Sequence, residues 1–162
     1  MTQKLTPPSE FQTIGLPPAD QIGFVVRDLD TAIARYDPLF GPFRKIDVGD
    51  YQCSYRGQPP SSYKANFAFG QIGDIEIELI EWISGDTPHR DFLEQGQEGM
   101  HHLRFRVAPV EHWIEKLATL GYRTAWYNRA APDLAFAYLD REGDPLTIEL
   151  LEANFNPGAA DD

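Results

Sequence analysis

Between Gly73 and Trp82 the chain reads GDIEIELIEW, so Ile75, Ile77 and Leu79 fall on one side of an extended strand and Glu76, Glu78 and Ile80 on the other. Alternation this strict ordinarily marks a strand with one dry face and one in water. A second stretch, PLTIELLEA at 145–153, repeats the phrase, with Glu149-Leu150-Leu151-Glu152 against Glu78-Leu79-Ile80-Glu81. Upstream, QIGFVVRDLDTAIARYDPLFG from Gln21 lies over HLRFRVAPVEHWIEKLATLGY from His102, matching Gln21 with His102, Phe24 with Phe105 and Val26 with Val107. The offset is 102 − 21 = 81 residues at the first strand and 149 − 78 = 71 at the acidic one, so the first copy carries 81 − 71 = 10 extra residues. The chain is internally duplicated, and the repeat governs the fold reading.

Each copy reads as a βαβββ unit. In the first, Gln21 to Arg27 form a strand; Leu29, Ala32, Ile33 and Tyr36 recur at helical spacing behind an Asp30 cap, and Pro38 ends that helix before Gly41. Strands are expected near 43–49, 63–71 and 74–82. In the second copy Val110, Trp113, Ile114, Leu117 and Leu120 make an apolar helix face that Gly121 stops, followed by strands near 122–128, 134–140 and 146–152. The expected organisation is an N-terminal arm at 1–18, a first module at 19–82, a connector at 83–99 with a short helix near 87–95, a second module at 100–153 and an acidic tail at 154–162. The fold class is α+β.

Composition narrows the function classes. At 162 residues and 42% hydrophobic content the chain can bury a core unaided. The net charge of 14 − 25 = −11 argues against nucleic acid and anionic membranes, both polyanions. Cys53 is the single cysteine, which excludes an intrachain disulfide and a thiolate metal cluster. No apolar run matches a signal peptide or a membrane span, so a cytoplasmic protein is expected.

The segments QIGFVVRDLDTAIARY, IELIEWISGDTPHRDFL, GMHHLRFRV and TIELLE, in that order on a duplicated frame, resemble the vicinal oxygen chelate superfamily of glyoxalases, bleomycin-resistance proteins and extradiol dioxygenases. The resemblance covers roughly residues 20 to 153. The GDTPHRDFL connector and the GMHHL entry look most like methylmalonyl-CoA epimerases and the glyoxalase-like proteins near them. It implies two βαβββ modules curling around a shared cleft that holds a divalent metal, with ligand positions falling on Gln21, Glu78, His102 and Glu149. Most metal-dependent relatives carry histidine where this chain has Gln21. The resulting set suits Mg, Mn or Co better than Zn and does not match the two histidines and carboxylate that an extradiol iron needs. A metal-free cleft with these side chains hydrogen-bonded to one another is the alternative.

With a metal, the implied chemistry is that of a lyase, isomerase or epimerase acting through an enolate of a small oxyanion or acyl thioester, with Glu149 or Glu78 as base. The epimerases use a second acid on the preceding strand; here that region holds Ser61-Ser62-Tyr63-Lys64, and Tyr63 or Lys64 is the available substitute. Arg104, in phase with His102, is a candidate for an anionic substrate oxygen, whereas Arg106 is expected to be solvated or ion-paired. Trp126, Trp82 and Tyr127 are candidate pocket walls. His101 is expected to point away from His102 by alternation, and His89 and His112 to face solvent. The competing function is a non-catalytic binding protein that sequesters a small molecule. A homodimer is expected, because edge strands and an apolar rim around Trp82 and Trp126 call for a partner chain.

Overall fold

In the computed structural model, which describes residues 13–47 and 49–154, the first copy runs β1 (Gln21–Val26), α1 (Leu29–Phe40), β2 (Arg44–Ile46), β3 (Tyr51–Tyr55), β4 (Ser61–Ile72) and β5 (Ile75–Ser84). After α2 (Pro88–Glu94), the second copy runs β6 (Gly99–Arg106), α3 (Val110–Ala118), β7 (Arg123–Ala131), β8 (Leu134–Arg141) and β9 (Asp144–Ala153). The fold is α+β with a strongly curled sheet. Most of the expected arm and tail lies outside the described residues. The end of the arm packs Ile14 and Leu16 against the apolar cluster beneath α3, and Lys116 Nζ donates to the Ile14 carbonyl at 3.1 Å.

Two helix signals resolve differently from the sequence expectation. Asp28, not Asp30, caps α1, because Asp28 holds an extended backbone and its Oδ1 accepts from Thr31 N at 2.7 Å. Pro38 falls in the last turn rather than ending the helix; α1 continues to Phe40, where Gly41 N donates to the Asp37 carbonyl at 3.0 Å. At α2 the expected start is present, with Thr87 accepting from Arg90 N and Pro88 opening the first turn. The start of α3 lacks a side-chain cap of its own, and Val110 N donates instead to Glu152, the last acid of the second ELxE phrase.

The strand register carries the duplication. β1 runs parallel to β5 with Gly23 opposite Glu78, and β6 runs parallel to β9 with Arg104 opposite Glu149. β1 and β6 are antiparallel neighbours, with Gln21 opposite Arg104 and Gly23 opposite His102. Exchanging the two copies carries one of these pairs onto the other, so a local twofold passes between the first strands. Both modules therefore belong to one chain and meet along their first strands.

The extra residues of the first copy have a location. β2 and β3 lie end to end along β4 in nearly continuous register, as one interrupted strand, and the excess falls in the hairpin tip between Tyr51 and Tyr63. The second copy crosses the same place directly from Ala131 to Leu134. Ser54 and Tyr55 in that tip pair with Tyr127 and Trp126 of β7. With β4 also on β5, the sheet closes into a ring in the order β4-β3-β7-β8-β9-β6-β1-β5. Closure pairs most of the strand edges, leaving β2 on β4 alone, and Trp126 is buried within the ring rather than on an apolar rim.

Apolar residues sort by face as alternation requires. Ile77 and Leu79 pack with Leu29 and Ala32 beneath α1, and Ile148 and Leu150 pack with Val110 and Leu117 beneath α3. Their neighbours on the inner face, including Phe67, Phe69, Ile80, Trp126 and Tyr138, line the interior of the ring. The two ELxE carboxylates, Glu78 and Glu149, point into that interior.

Candidate metal centre and ligand cavity

Gln21, Glu78, His102 and Glu149 converge inside the ring. His102 Nε2 lies 3.0 Å from Glu149 Oε2, 3.4 Å from Glu78 Oε2 and 3.3 Å from Gln21 Oε1. Gln21 and His102 are fully buried, and both carboxylates are nearly so. The Oε2 atoms of Glu78 and Glu149 are buried without a hydrogen bond among the described residues, although each faces the imidazole. Three oxygens thus converge on one nitrogen, and Glu78, His102 and Glu149, whose ligand atoms lie within 4.8 Å of one another, form a group able to hold a cation. The separations fit one: ligands about 2.1 Å from an octahedral ion sit roughly 3.0 Å apart along each edge. Burial by itself lowers the pKa of His102, but Glu149 and Glu78 outweigh it and push the value up to about 9. Burial also raises that of Glu78.

A supporting layer orients this set. Gln21 Nε2 donates to Glu76 Oε1 at 2.7 Å, which turns the amide oxygen toward His102. Arg104 in turn donates to Glu76 at 3.2 Å and grips Asp20 with two hydrogen bonds of 2.9 and 3.0 Å, while Arg106 donates to Asp20 at 2.6 Å. Arg104 borders the cavity as its phase with His102 implies, but its guanidinium is engaged by Asp20 and Glu76 rather than presented to a ligand. The ion-paired role expected for Arg106 is present.

Two histidines depart from the sequence expectation. His101 is buried beside His102, with the two Nδ1 atoms 3.2 Å apart. Simple alternation fails there because β6 bulges: Gly23 pairs with His102 and Phe24 with Met100, leaving His101 as the extra residue. Bulges re-aim side chains in this way. His89, expected in solvent, is buried on α2, its ring edge-on to Trp126, Tyr138 and His101. Desolvation, reinforced by His102, lowers its pKa to about 3, so it is neutral. His112 is exposed, as expected.

Beside the four-residue cluster lies a cavity of about 180 Å³, walled mainly by Tyr63, Phe67, Phe69, Trp126, Phe136 and Tyr138, with Glu78, Glu149 and His89 on its surface. Tyr63 and Trp126 therefore reach it. Lys64 does not: the residue after Tyr63 on a strand faces outward, and Lys64 is exposed. Trp82 does not line the cavity and instead borders Arg90 and Leu93 of α2, its Nε1 donating to the Gly85 carbonyl at 2.9 Å, and Tyr127 turns to the opposite face, its hydroxyl donating to Glu111 at 2.6 Å. Sequence reasoning had overlooked Glu76, although it shares a strand face with Glu78, and Gly23, whose missing side chain makes room for the His102 ring.

The Glyoxalase/Bleomycin resistance protein/Dioxygenase superfamily model matches residues 20–138. YqjC of Bacillus subtilis (strain 168) is 45% identical over 100 residues, a match spanning 61% of this chain and 64% of that protein's length. Methylmalonyl-CoA epimerase from Mycobacterium tuberculosis superposes with a TM-score of 0.60 at 20% identity, over 90% of this chain and 95% of that one. A mutant 4-hydroxymandelate synthase from Streptomyces coelicolor superposes with a TM-score of 0.58 at 17% identity, over 88% of this chain and 40% of that one. At these identities the solved structures speak to the shared fold. With its duplicated modules, its curled sheet and a family match across most of its length, the chain belongs to the glyoxalase/bleomycin resistance protein/dioxygenase superfamily.

Proposed function

We propose that the protein binds a divalent cation, Mg, Mn or Co in preference to Zn, through Gln21, Glu78, His102 and Glu149, and acts as an epimerase, isomerase or lyase on a small oxygenated acid or its acyl thioester. The observation carrying this reading is the convergence of three buried oxygens on His102 Nε2, two of them carboxylate oxygens that lack a hydrogen bond among the described residues. Three oxygen donors and one imidazole suit harder cations. The superposition with methylmalonyl-CoA epimerase is compatible with the same chemistry.

A bound cation would polarise a carbonyl oxygen and acidify the adjacent C–H bond. The chain supplies the rest. If Nε2 held the cation, the proton of His102 would sit on Nδ1, 3.2 Å from His101 Nδ1, and that contact would fix the ring. Glu76 holds the Gln21 amide in register. The aromatic walls exclude water, and the Glu149 carboxylate, on the cavity surface, accepts the α-proton. Tyr63 is the remaining candidate for the opposite face, but burial raises the pKa of its hydroxyl, which disfavours proton exchange there. A homodimer is proposed on the resemblance, supported by exposed Leu39, Met100 and Ile83; a solely monomeric species in sedimentation at micromolar concentration would count against it.

Elemental analysis of gently purified protein, paired with solvent-deuterium exchange into α-keto acids and acyl thioesters, tests the reading. Stoichiometric metal and exchange that falls at least about a hundredfold in Glu149→Gln are expected. Unchanged exchange in that variant refutes Glu149 as the base. Stoichiometric metal with no exchange on any substrate favours a binding protein.

A further inference from the structure

His89 has no task in the chemistry above, yet it is 1% exposed and neither of its ring nitrogens has a hydrogen-bond partner among the described residues. A buried imidazole left in that state is costly, and neighbouring side chains do not relieve it: Trp126, Tyr138 and His101 meet it edge-on. It does border the cavity that also exposes Glu78 and Glu149. Its place follows from the connector, where Thr87 and Pro88 set the first turn of α2 and turn His89 inward.

The rest of the cavity defines what would meet it. Its volume of about 180 Å³ exceeds the roughly 150 Å³ that admits benzene in an engineered protein cavity, so a ring with a few further atoms fits. The walls are mainly aromatic and aliphatic, with Asn128 and the tyrosines as the other neutral polar side chains. Arg104, the one cation among the lining residues, is engaged by Asp20 and Glu76, so no positive group remains there for a second anionic function. Neutral imidazole offers one donor and one acceptor.

We propose that His89 is a specificity-determining residue that hydrogen-bonds a polar group on a ring-sized, otherwise apolar substrate. This rests on the metal reading, since the oxygenated end of the substrate is assigned to the cation. The substrate class narrows to compact ring-bearing acids or carbonyl compounds with one neutral polar substituent.

Binding of benzohydroxamate, its 2-, 3- and 4-hydroxy derivatives and acetohydroxamate to Mn-loaded protein, measured by calorimetry, tests this. Benzohydroxamate should bind at least about tenfold more tightly than acetohydroxamate, because its ring enters the cavity. One hydroxy isomer should gain roughly a further tenfold through His89. His89→Leu should bring the affinity ratio of the favoured isomer to benzohydroxamate down to about one, and His89→Gln, which keeps a donor and an acceptor, should restore part of that ratio. Equal preference in wild type and His89→Leu, or no preference for any isomer, overturns the inference and leaves the metal site standing. Failure of both proteins to take up Mn overturns the metal reading and the inference with it. If His89→Leu does not fold, unchanged isomer preference in His89→Gln and His89→Ala is the overturning result.

Discussion

Gly23→Ala is the most economical perturbation of the proposed centre, because it adds one methyl group and changes no ligand. Gly23 faces His102 across the antiparallel first strands, and a Cβ built there meets His102 Cε1 at 1.9 Å, Nε2 at 2.2 Å and Nδ1 at 2.5 Å. Ordinary carbon contacts lie near 3.5–4.0 Å, so the ring must withdraw by roughly 1.5 Å or the strands must part. Neither is cheap. The ring is fully buried, boxed in by His101 and Tyr138, and overpacking of this kind costs about 1–3 kcal/mol. A shift of that size also removes Nε2 from the point it shares with Gln21, Glu78 and Glu149, where a metal–nitrogen bond of about 2.1 Å tolerates only a few tenths of an ångström. Metal affinity should fall at least about a hundredfold, at the upper end of what displaced ligand support costs. Thermal unfolding and metal titration read the two effects. Wild-type stability and full metal content in Gly23→Ala would refute the placement of His102.

His102→Ala should strip the divalent metal whereas His112→Ala, on the exposed face of α3, should leave the metal content at the wild-type level; elemental analysis decides. Metal uptake should release protons: with its pKa near 9, His102 is charged in the metal-free protein at pH 7.5 and must lose the Nε2 proton to ligate, so about one proton per ion is expected, declining to none as the pH rises past 9. Calorimetry in buffers of different ionisation enthalpy measures it, and zero release at pH 7.5 would contradict the ligand assignment. Arg104→Met should destabilise the fold by about 2–4 kcal/mol, having left Asp20 and Glu76 without their shared cation. Desolvation raises the Asp20 pKa, but Arg104 and Arg106 outweigh it and hold it below the usual carboxylate range, so its stabilising contribution is present above about pH 4 and fades as the pH falls through the lowered value. Denaturant titrations should show that acid-side loss weakened in Arg104→Met.

The frame of the molecule was legible because periodicity and repetition survive in a single sequence. Alternation alone separates Ile77 and Leu79 from Glu78, and the repeat extends the separation to Ile148, Leu150 and Glu149; that the acidic face lines a cleft is what the family resemblance implies, and in the structure the apolar set packs beneath α1 and α3 while both carboxylates border the cavity. What escaped were departures from periodicity. The bulge that turns His101 inward has no composition of its own, and a seven-residue helix such as α2 is too short for its apolar pattern to say which residues it buries. Arg104 was legible as an inner-face residue but not as a paired one, because Asp20 and Glu76 reach it only once three strands are in register. The break between β2 and β3 and the hairpin tip that reaches β7 depend on the ten residues for which the repeat offers no template.

The ring has two seams between modules, and they are unequal. One runs from Gln21 to Val25 along β6, whereas the other is shorter, Ser54 and Tyr55 against Tyr127 and Trp126, extended by Arg56 N donating to the Ala125 carbonyl at 2.8 Å. A closed belt with one narrow clasp has a preferred place to breathe. Opening at the clasp breaks few backbone bonds and exposes the aromatic end of the cavity, while opening at the first strands would pull Gln21 from His102. Amide hydrogens at the β3–β7 clasp should therefore exchange with solvent well before those of β1 and β6, and ligand traffic would pass there without disturbing the proposed ligands.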